Sequence, residues 1–278
     1  IDFNGSKITD ASGVLVKSSI QSQLFSSEHR IGFDTVSDLY ITLNGNGPNA
    51  SPPPFTVIKT KGPWLITGSK NPMMEVQGRD IVGFSYKVVT DPLDCNSPDG
   101  YIANDATSVI LDLSKESSGI RVFCAVGKVS SGFTKPVESG PSSYIWYFDA
   151  DSATILDVDS KAGDATYVQS DKIEIRLKFS EAVYISYLDP LKTNPPELSL
   201  ILDSTPDGSL TATYKTGEGS DELYFEYQVQ AGDNTTYLNV GDLRLKDAVL
   251  RDKAGNDAEL YIRGGALEGN NKIQIDTT

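Results

Sequence analysis

The sequence predicts an all-β chain of two β-sandwiches in tandem, and three observations carry that prediction. Short runs alternating apolar with polar residues recur along the 278 residues, as strands with one buried face require. Clusters of Gly, Asn, Asp and Pro separate the runs, and these residues accept positive φ or pre-set a bend. The composition agrees: 24 Gly, 14 Pro and 13 Tyr stand against two Met, a balance suited to turns and sheet faces.

In chain order, the first candidate strands are GVLVKSSI (13–20), HRIGF (29–33), DLYITL (38–43), FTVIKT (55–60) and WLITG (64–68). IVGFSYKVV (81–89), TSVILDL (107–113), IRVFCAVGKV (120–129) and SYIWYF (143–148) follow. PNASPPPF (48–55) interrupts the scheme, because proline cannot donate to a ladder, and predicts an exposed loop or edge crossing. KSSIQSQLFSSEH (17–29) is the one stretch that suits a short helix.

Alternation is cleaner in the second half, in KIEIRLKF (172–179), ELSLIL (197–202), LTATYK (210–215), ELYFEYQV (222–229), AELYI (258–262) and KIQID (272–276). Turn formers stand between them: KAGD (161–164), TNPP (193–196), TPDG (205–208), TGEG (216–219), AGDN (231–234), KAGN (253–256) and LEGNN (267–271). Within 228–262, Asp233–Asn234 and Gly255–Asn256 turn the chain. Val229, Leu238, Leu245, Val249 and Leu260 are expected to face inward.

A weak internal repeat places the boundary. SYIWYF runs into Asp149–Ala150–Asp151, and NKIQI runs into Asp276–Thr277–Thr278; Asp149 and Asp276 are 127 residues apart, about one sandwich module. The expected domains are therefore residues 1–148, a sandwich with an N-terminal embellishment, and residues 149–278, a repeat module. The chain opens directly on IDFNG and reads as a mature protein or a piece of a longer array.

The formal charge of −14 argues against nucleic acid, whose binding depends on Lys and Arg neutralising phosphates. No apolar run approaches the roughly 20 residues of a membrane-spanning helix. Residues 1–148 carry 12 basic and 14 acidic residues, whereas 149–278 carry 12 and 24. That surplus fits a solubilising surface, and it also fits calcium. Cys95 and Cys124 enclose 28 residues and form neither a metal quartet nor a CxxC pair. In an oxidising compartment they would pair; in a reducing one they are two buried thiols.

Residues 155–278 resemble one repeat of the bacterial immunoglobulin-like modules of large, repetitive surface adhesins. The residues that carry the resemblance are Asp171–Lys172–Ile173, Phe179–Ser180–Glu181–Ala182–Val183, Thr211–Ala212–Thr213–Tyr214 and Gly217 through Gly219. Phe225–Glu226–Tyr227–Gln228–Val229, Ala231–Gly232–Asp233–Asn234, Asp252–Lys253–Ala254–Gly255–Asn256 and Ile275–Asp276–Thr277–Thr278 complete it. Residues 81–151 resemble a related type through Phe84–Ser85–Tyr86–Lys87–Val88, Asp94–Cys95, Gly100–Tyr101, Gly119–Ile120–Arg121–Val122, Cys124, Gly127–Lys128 and Ser143–Tyr144–Ile145–Trp146. In such modules the two cysteines pair. Residues 1–80 match no motif.

Candidate sites are few. His29, the single histidine, has no nucleophile motif beside it, and no enzyme activity is expected. Hard cations take six to eight oxygens, and FDADSATILDVDS (148–160) sets Asp149, Asp151, Asp157 and Asp159 at the expected junction. Calcium stiffens such junctions in the arrays that the chain resembles, although the usual D-T-T-A-P is D-A-D-S-A here. A solvated acidic linker is the alternative, and Asp233, Asp252 and Asp257 are lesser candidates. Trp64 and Tyr101 are the aromatics a glycan site would use, whereas Trp146, between apolar neighbours, reads as core.

The resemblance implies a structural and adhesive segment of a bacterial extracellular or cell-surface protein, a spacer between flanking repeats. Its partner would be a glycan or protein on a host or neighbouring cell. The alternative is a carbohydrate- or receptor-binding module of a secreted protein.

Overall fold

Alternation becomes ladder along most of the chain. The computed structural model describes residues 40–43, 65–78, 81–130, 132, 134, 141–188 and 190–278. The expected strands GVLVKSSI, HRIGF and FTVIKT, the PNASPPPF loop, the short helix, His29 and Trp64 lie outside these residues.

The N-terminal strands are β1 (Tyr40–Leu43), β2 (Leu65–Thr67), β3 (Met73–Gln77), β4 (Ile81–Val89), β5 (Ile102–Asn104), β6 (Ser108–Ile110), β7 (Gly119–Val129) and β8 (Ser142–Phe148). They form a three-stranded sheet, β1-β3-β6, and a five-stranded sheet, β2-β8-β7-β4-β5. Every pairing is antiparallel except β2 with β8, where Leu65, Ile66 and Thr67 run alongside Trp146, Tyr147 and Phe148 in parallel. One core lies between the sheets, with Met74 and Val76 from one and Phe84, Phe123, Trp146 and Phe148 from the other. Trp146 is fully buried, as its neighbours predict. Truncating an aromatic this deep costs about 3–5 kcal/mol.

A second, smaller cluster joins Cys95, Val122, Cys124 and Ile145. The two sulfurs lie 2.01 Å apart, at disulfide distance. The bond pins the short 3-10 turn Pro92–Asn96 against β7.

The C-terminal elements are β9 (Ile155–Asp159), β10 (Ala165–Tyr167), β11 (Lys172–Tyr187), β12 (Glu197–Ile201), β13 (Leu210–Thr216), β14 (Ser220–Gln228), β15 (Asn234–Thr235), β16 (Asn239–Arg244), β17 (Ala248–Asp252), α1 (Ala266–Asn270) and β18 (Ile273–Asp276). One sheet runs β16-β12-β13-β14-β11-β17, with β9 also on β11; the other is β10-β18-β15. Here too a parallel pair, β10 with β18, unites an early strand with the last. Among the described residues, no ladder joins a strand of the N-terminal set to one of the C-terminal set.

Strand β11 organises this second set. Ile173, Ile175, Leu177 and Phe179 are buried at strict alternation, and the run then restarts at Val183 and Ile185. The register slips between Lys178 and Val183, a bulge that bends the strand and re-aims the intervening side chains. Before the bulge β11 pairs with β9, after it with β17. On the outward face Arg176 reaches Asp159 and Glu222, Lys215 reaches Glu174 and Glu226, and Lys172 reaches Glu226. Single exposed pairs contribute at most about 1 kcal/mol each, so this network mainly fixes which face meets water.

Three expectations need correction. Ala248 and Leu250, not Val249, face the core, because β17 enters the sheet one residue out of the anticipated register. AELYI (258–262) forms one isolated bridge, Glu259 with Thr154, in place of a strand: Glu259 N–H donates to Ala153 O as the chain crosses the junction, and Tyr261 is exposed. LEGNN (267–271) belongs to the helical turn α1, which buried Leu267 anchors after Gly265 enters in the left-handed region.

Candidate metal centre at the junction

Three separate segments converge where the two strand sets meet. The first is Asp149–Thr154, which leaves β8. The second is the β11 bulge, where Ser180 N–H donates to Thr154 O and Thr154 N–H donates to Ser180 Oγ, bringing Glu181 to the linker. The third is the end of β17, where Asp252 starts the turn Lys253–Asn256. Asp252 Oδ1 accepts the N–H groups of Gly255 and Asn256 at 2.7 and 2.9 Å, so the turn fixes its carboxylate.

Asp149, Glu181 and Asp252 each place a carboxylate oxygen within 4.8 Å of the others. Asp252 is 3% exposed, and none of the three forms an ion pair among the described residues. Hydrogen bonds stabilise Asp252 and Asp149, but among the described residues no cation balances the charge in this partly dry site. Burial, followed by the charges of Asp252, Asp149 and Asp151, raises the pKa of Glu181. Such an arrangement either holds a proton or attracts a cation. Oxygen-only donors without sulfur or imidazole suit a hard divalent ion, and the neighbouring carbonyls of Asp149 and Asp151 are of the same type.

Asn256 locks the linker to the turn. Its Nδ2 shares two hydrogens among Asp149 O at 3.0 Å, Asp151 O at 2.9 Å and Asp252 Oδ2 at 2.8 Å. Gly68, in the loop after β2, donates its N–H to Ala254 O at 2.8 Å. A Cβ on Gly68 would lie 2.0 Å from Asn256 Oδ1, so only glycine permits this approach. From the N-terminal set, the Ser118 hydroxyl lies 2.7 Å from Asp151 Oδ2 and 3.3 Å from Asp149 Oδ1, and it accepts from Ala150 N–H at 2.8 Å.

Of the four aspartates singled out in the linker, Asp149 joins the carboxylate group and Asp151 lies beside it. Asp157 and Asp159 are carried away on β9, where Asp157 accepts from Asn270 and Asp159 pairs with Arg176. Asp252 was a lesser candidate and is central. Glu181 was not singled out, although FSEAV was; an acidic residue in a strand run that breaks alternation was the available signal. Asp233 accepts from Tyr227 Oη and Gln230 N, and Asp257 pairs with Arg251. Tyr101 donates its hydroxyl to Cys95 O at 2.9 Å under the Lys87 ammonium, which also donates to Ser97 O and Asp99 O. Burial raises its pKa. Tyr101 thus braces the disulfide loop.

No family model matches the chain, and no curated protein matches it.

Proposed function

We propose that the chain is a structural, non-catalytic segment of a bacterial extracellular or cell-surface protein. In this reading two immunoglobulin-like sandwiches in tandem act as a spacer for adhesion, and calcium at Asp149, Glu181 and Asp252 stiffens their junction. The observation that carries the reading is that junction: three carboxylates from three segments, with no ion-pair partner among the described residues, beside an asparagine that ties the linker to the turn. A chain serving as a hinge has no use for so many directed bonds at that point.

Two further observations support it. In the N-terminal set, the split into β1-β3-β6 and β2-β8-β7-β4-β5, with the antiparallel order broken by one early–late parallel pair, suits a sandwich of immunoglobulin type. The Cys95–Cys124 bond suits an oxidising compartment. Flanking repeats would continue the array and carry a more distal region to a glycan or protein on an opposing surface.

Calcium titration of the whole chain, followed by thermal melting and small-angle X-ray scattering, tests the proposal. Calcium should raise the melting temperature and narrow the distribution of end-to-end dimensions, and chelation should reverse both. Identical curves with calcium and with chelator would remove the cation from the reading.

A further inference from the structure

The small sheet β10-β18-β15 carries a feature that a spacer does not need. A shallow groove of about 500 Å³ lies over it, within the roughly 300–1,000 Å³ range of small-molecule sites. Its floor is the parallel pair of β10 and β18, in which Thr166 stands directly beside Gln274. Ile273 and Ile275 point into the core, so Lys272 and Gln274 must point out. The Thr166 hydroxyl approaches Gln274 Oε1 at 3.5 Å.

Tyr237 forms one wall and is 45% exposed. Its backbone is held firmly: buried Leu238 donates its N–H to Ile273 O at 2.8 Å, and Thr235 Oγ1 donates to Tyr237 O at 3.1 Å. Its own hydroxyl has no partner among the described residues. On the other side Asp164 accepts the Lys272 N–H at 2.8 Å through Oδ1, while the Lys272 ammonium forms no ion pair among the described residues. An aromatic face on an anchored backbone, a primary amide, a hydroxyl, one ammonium and one carboxylate thus surround the groove.

We propose that this groove binds a neutral pyranose unit of a glycan. The C–H face of the sugar lies against the Tyr237 ring, which offers broad amphipathic area at little conformational cost. Gln274, Thr166 and Lys272 supply donors, and Gln274 and Asp164 supply acceptors, for hydroxyls on one edge of the ring. The surrounding charge selects against acidic sugars, since residues 149–278 carry 24 acidic against 12 basic residues. The site is separate from the junction carboxylates, so it stands or falls without the calcium reading.

The test uses the whole 278-residue chain and four probes: maltose, cellobiose, lactose and N,N′-diacetylchitobiose. Saturation-transfer and amide chemical-shift titrations should show at least one binding saturably at about millimolar affinity. Shifts should centre on Tyr237 and Gln274. Tyr237→Ala and Gln274→Ala should each weaken that binding about tenfold or more, while Tyr237→Phe stays within about threefold. Tyr261→Ala, an exposed tyrosine outside the groove, is the control and should bind as the parent does. The proposal is overturned if no probe saturates, or if both alanine variants, folded by their melting curves, bind as well as the parent.

Discussion

Replacing Asn256 with alanine removes an amide whose two hydrogens are shared among three acceptors: the carbonyls of Asp149 and Asp151 and the Asp252 carboxylate. A typical hydrogen bond contributes about 0.5–1.5 kcal/mol net, because water replaces the lost partner where it can enter. The Asp149 and Asp151 carbonyls lie at a half-exposed junction and regain water, so each falls at the low end. Asp252 is buried and keeps the N–H groups of residues 255 and 256 on its other oxygen, so that loss falls nearer the middle. With two hydrogens shared among three acceptors, the sum is about 1–2 kcal/mol. Urea unfolding followed by circular dichroism reads this as a lower midpoint for the set that holds Asp252, while Trp146 fluorescence reports the other set. Residual dipolar couplings on the folded protein should show the two strand sets losing a common alignment. A destabilisation under about 0.5 kcal/mol, with one shared alignment tensor retained, would refute the idea that this amide ties linker to turn.

Three further outcomes are expected. Because Glu181 has its pKa raised by burial and by Asp252, Asp149 and Asp151, the folded state binds its proton more tightly. Stability should therefore fall as pH rises through and above the ordinary glutamate range, about 4.3. In chelator, Glu181→Gln should flatten that fall relative to the parent, and near neutral pH it should melt higher and respond less to calcium; a parallel pH profile would contradict the assignment. Reducing the Cys95–Cys124 bond should cost up to about 3.5 kcal/mol by the loop-closure relation for 28 enclosed residues, measured as a drop in the denaturant midpoint of the N-terminal set. At Gly217, with φ of 117°, a Cβ would sit 2.0 Å from Glu222 O, so Gly217→Ala should destabilise by about 1–3 kcal/mol in thermal melts, whereas Gly163→Ala, with open space around it, should cost less.

Strands were legible as alternation where one face is wet and one dry, as in β14, and as continuous apolar runs where both faces are covered, as in β7 and β8. The strands β4, β7, β8, β13 and β14 sit within a residue or two of IVGFSYKVV, IRVFCAVGKV, SYIWYF, LTATYK and ELYFEYQV. The reading failed where residue polarity does not follow burial. In β3, MMEVQ hides Met74 and Val76 but leaves Met73 exposed. In β9, an acidic stretch reads as a linker, yet Val158 is buried and Arg176 neutralises Asp159. The carboxylate site was half legible for a related reason. Asp149 and Asp151 are neighbours in sequence and could be seen together. Glu181 and Asp252 reach them only because a bulge and a turn close distances of about thirty and a hundred residues, which a linear pattern cannot encode.

The two parallel pairs have a consequence for a chain pulled from its ends. Strands β2 and β8 run the same way, as do β10 and β18, and in each pair one member lies early and the other late. Tension then drags the partners past each other along their length, so the rungs Leu65–Trp146 through Thr67–Phe148, and Ala165–Ile273 through Tyr167–Ile275, share the load and must rupture together. Peeling them one rung at a time would take far less force. A few residues of ladder, set in that direction, would thus govern how hard this molecule can be stretched before it gives way.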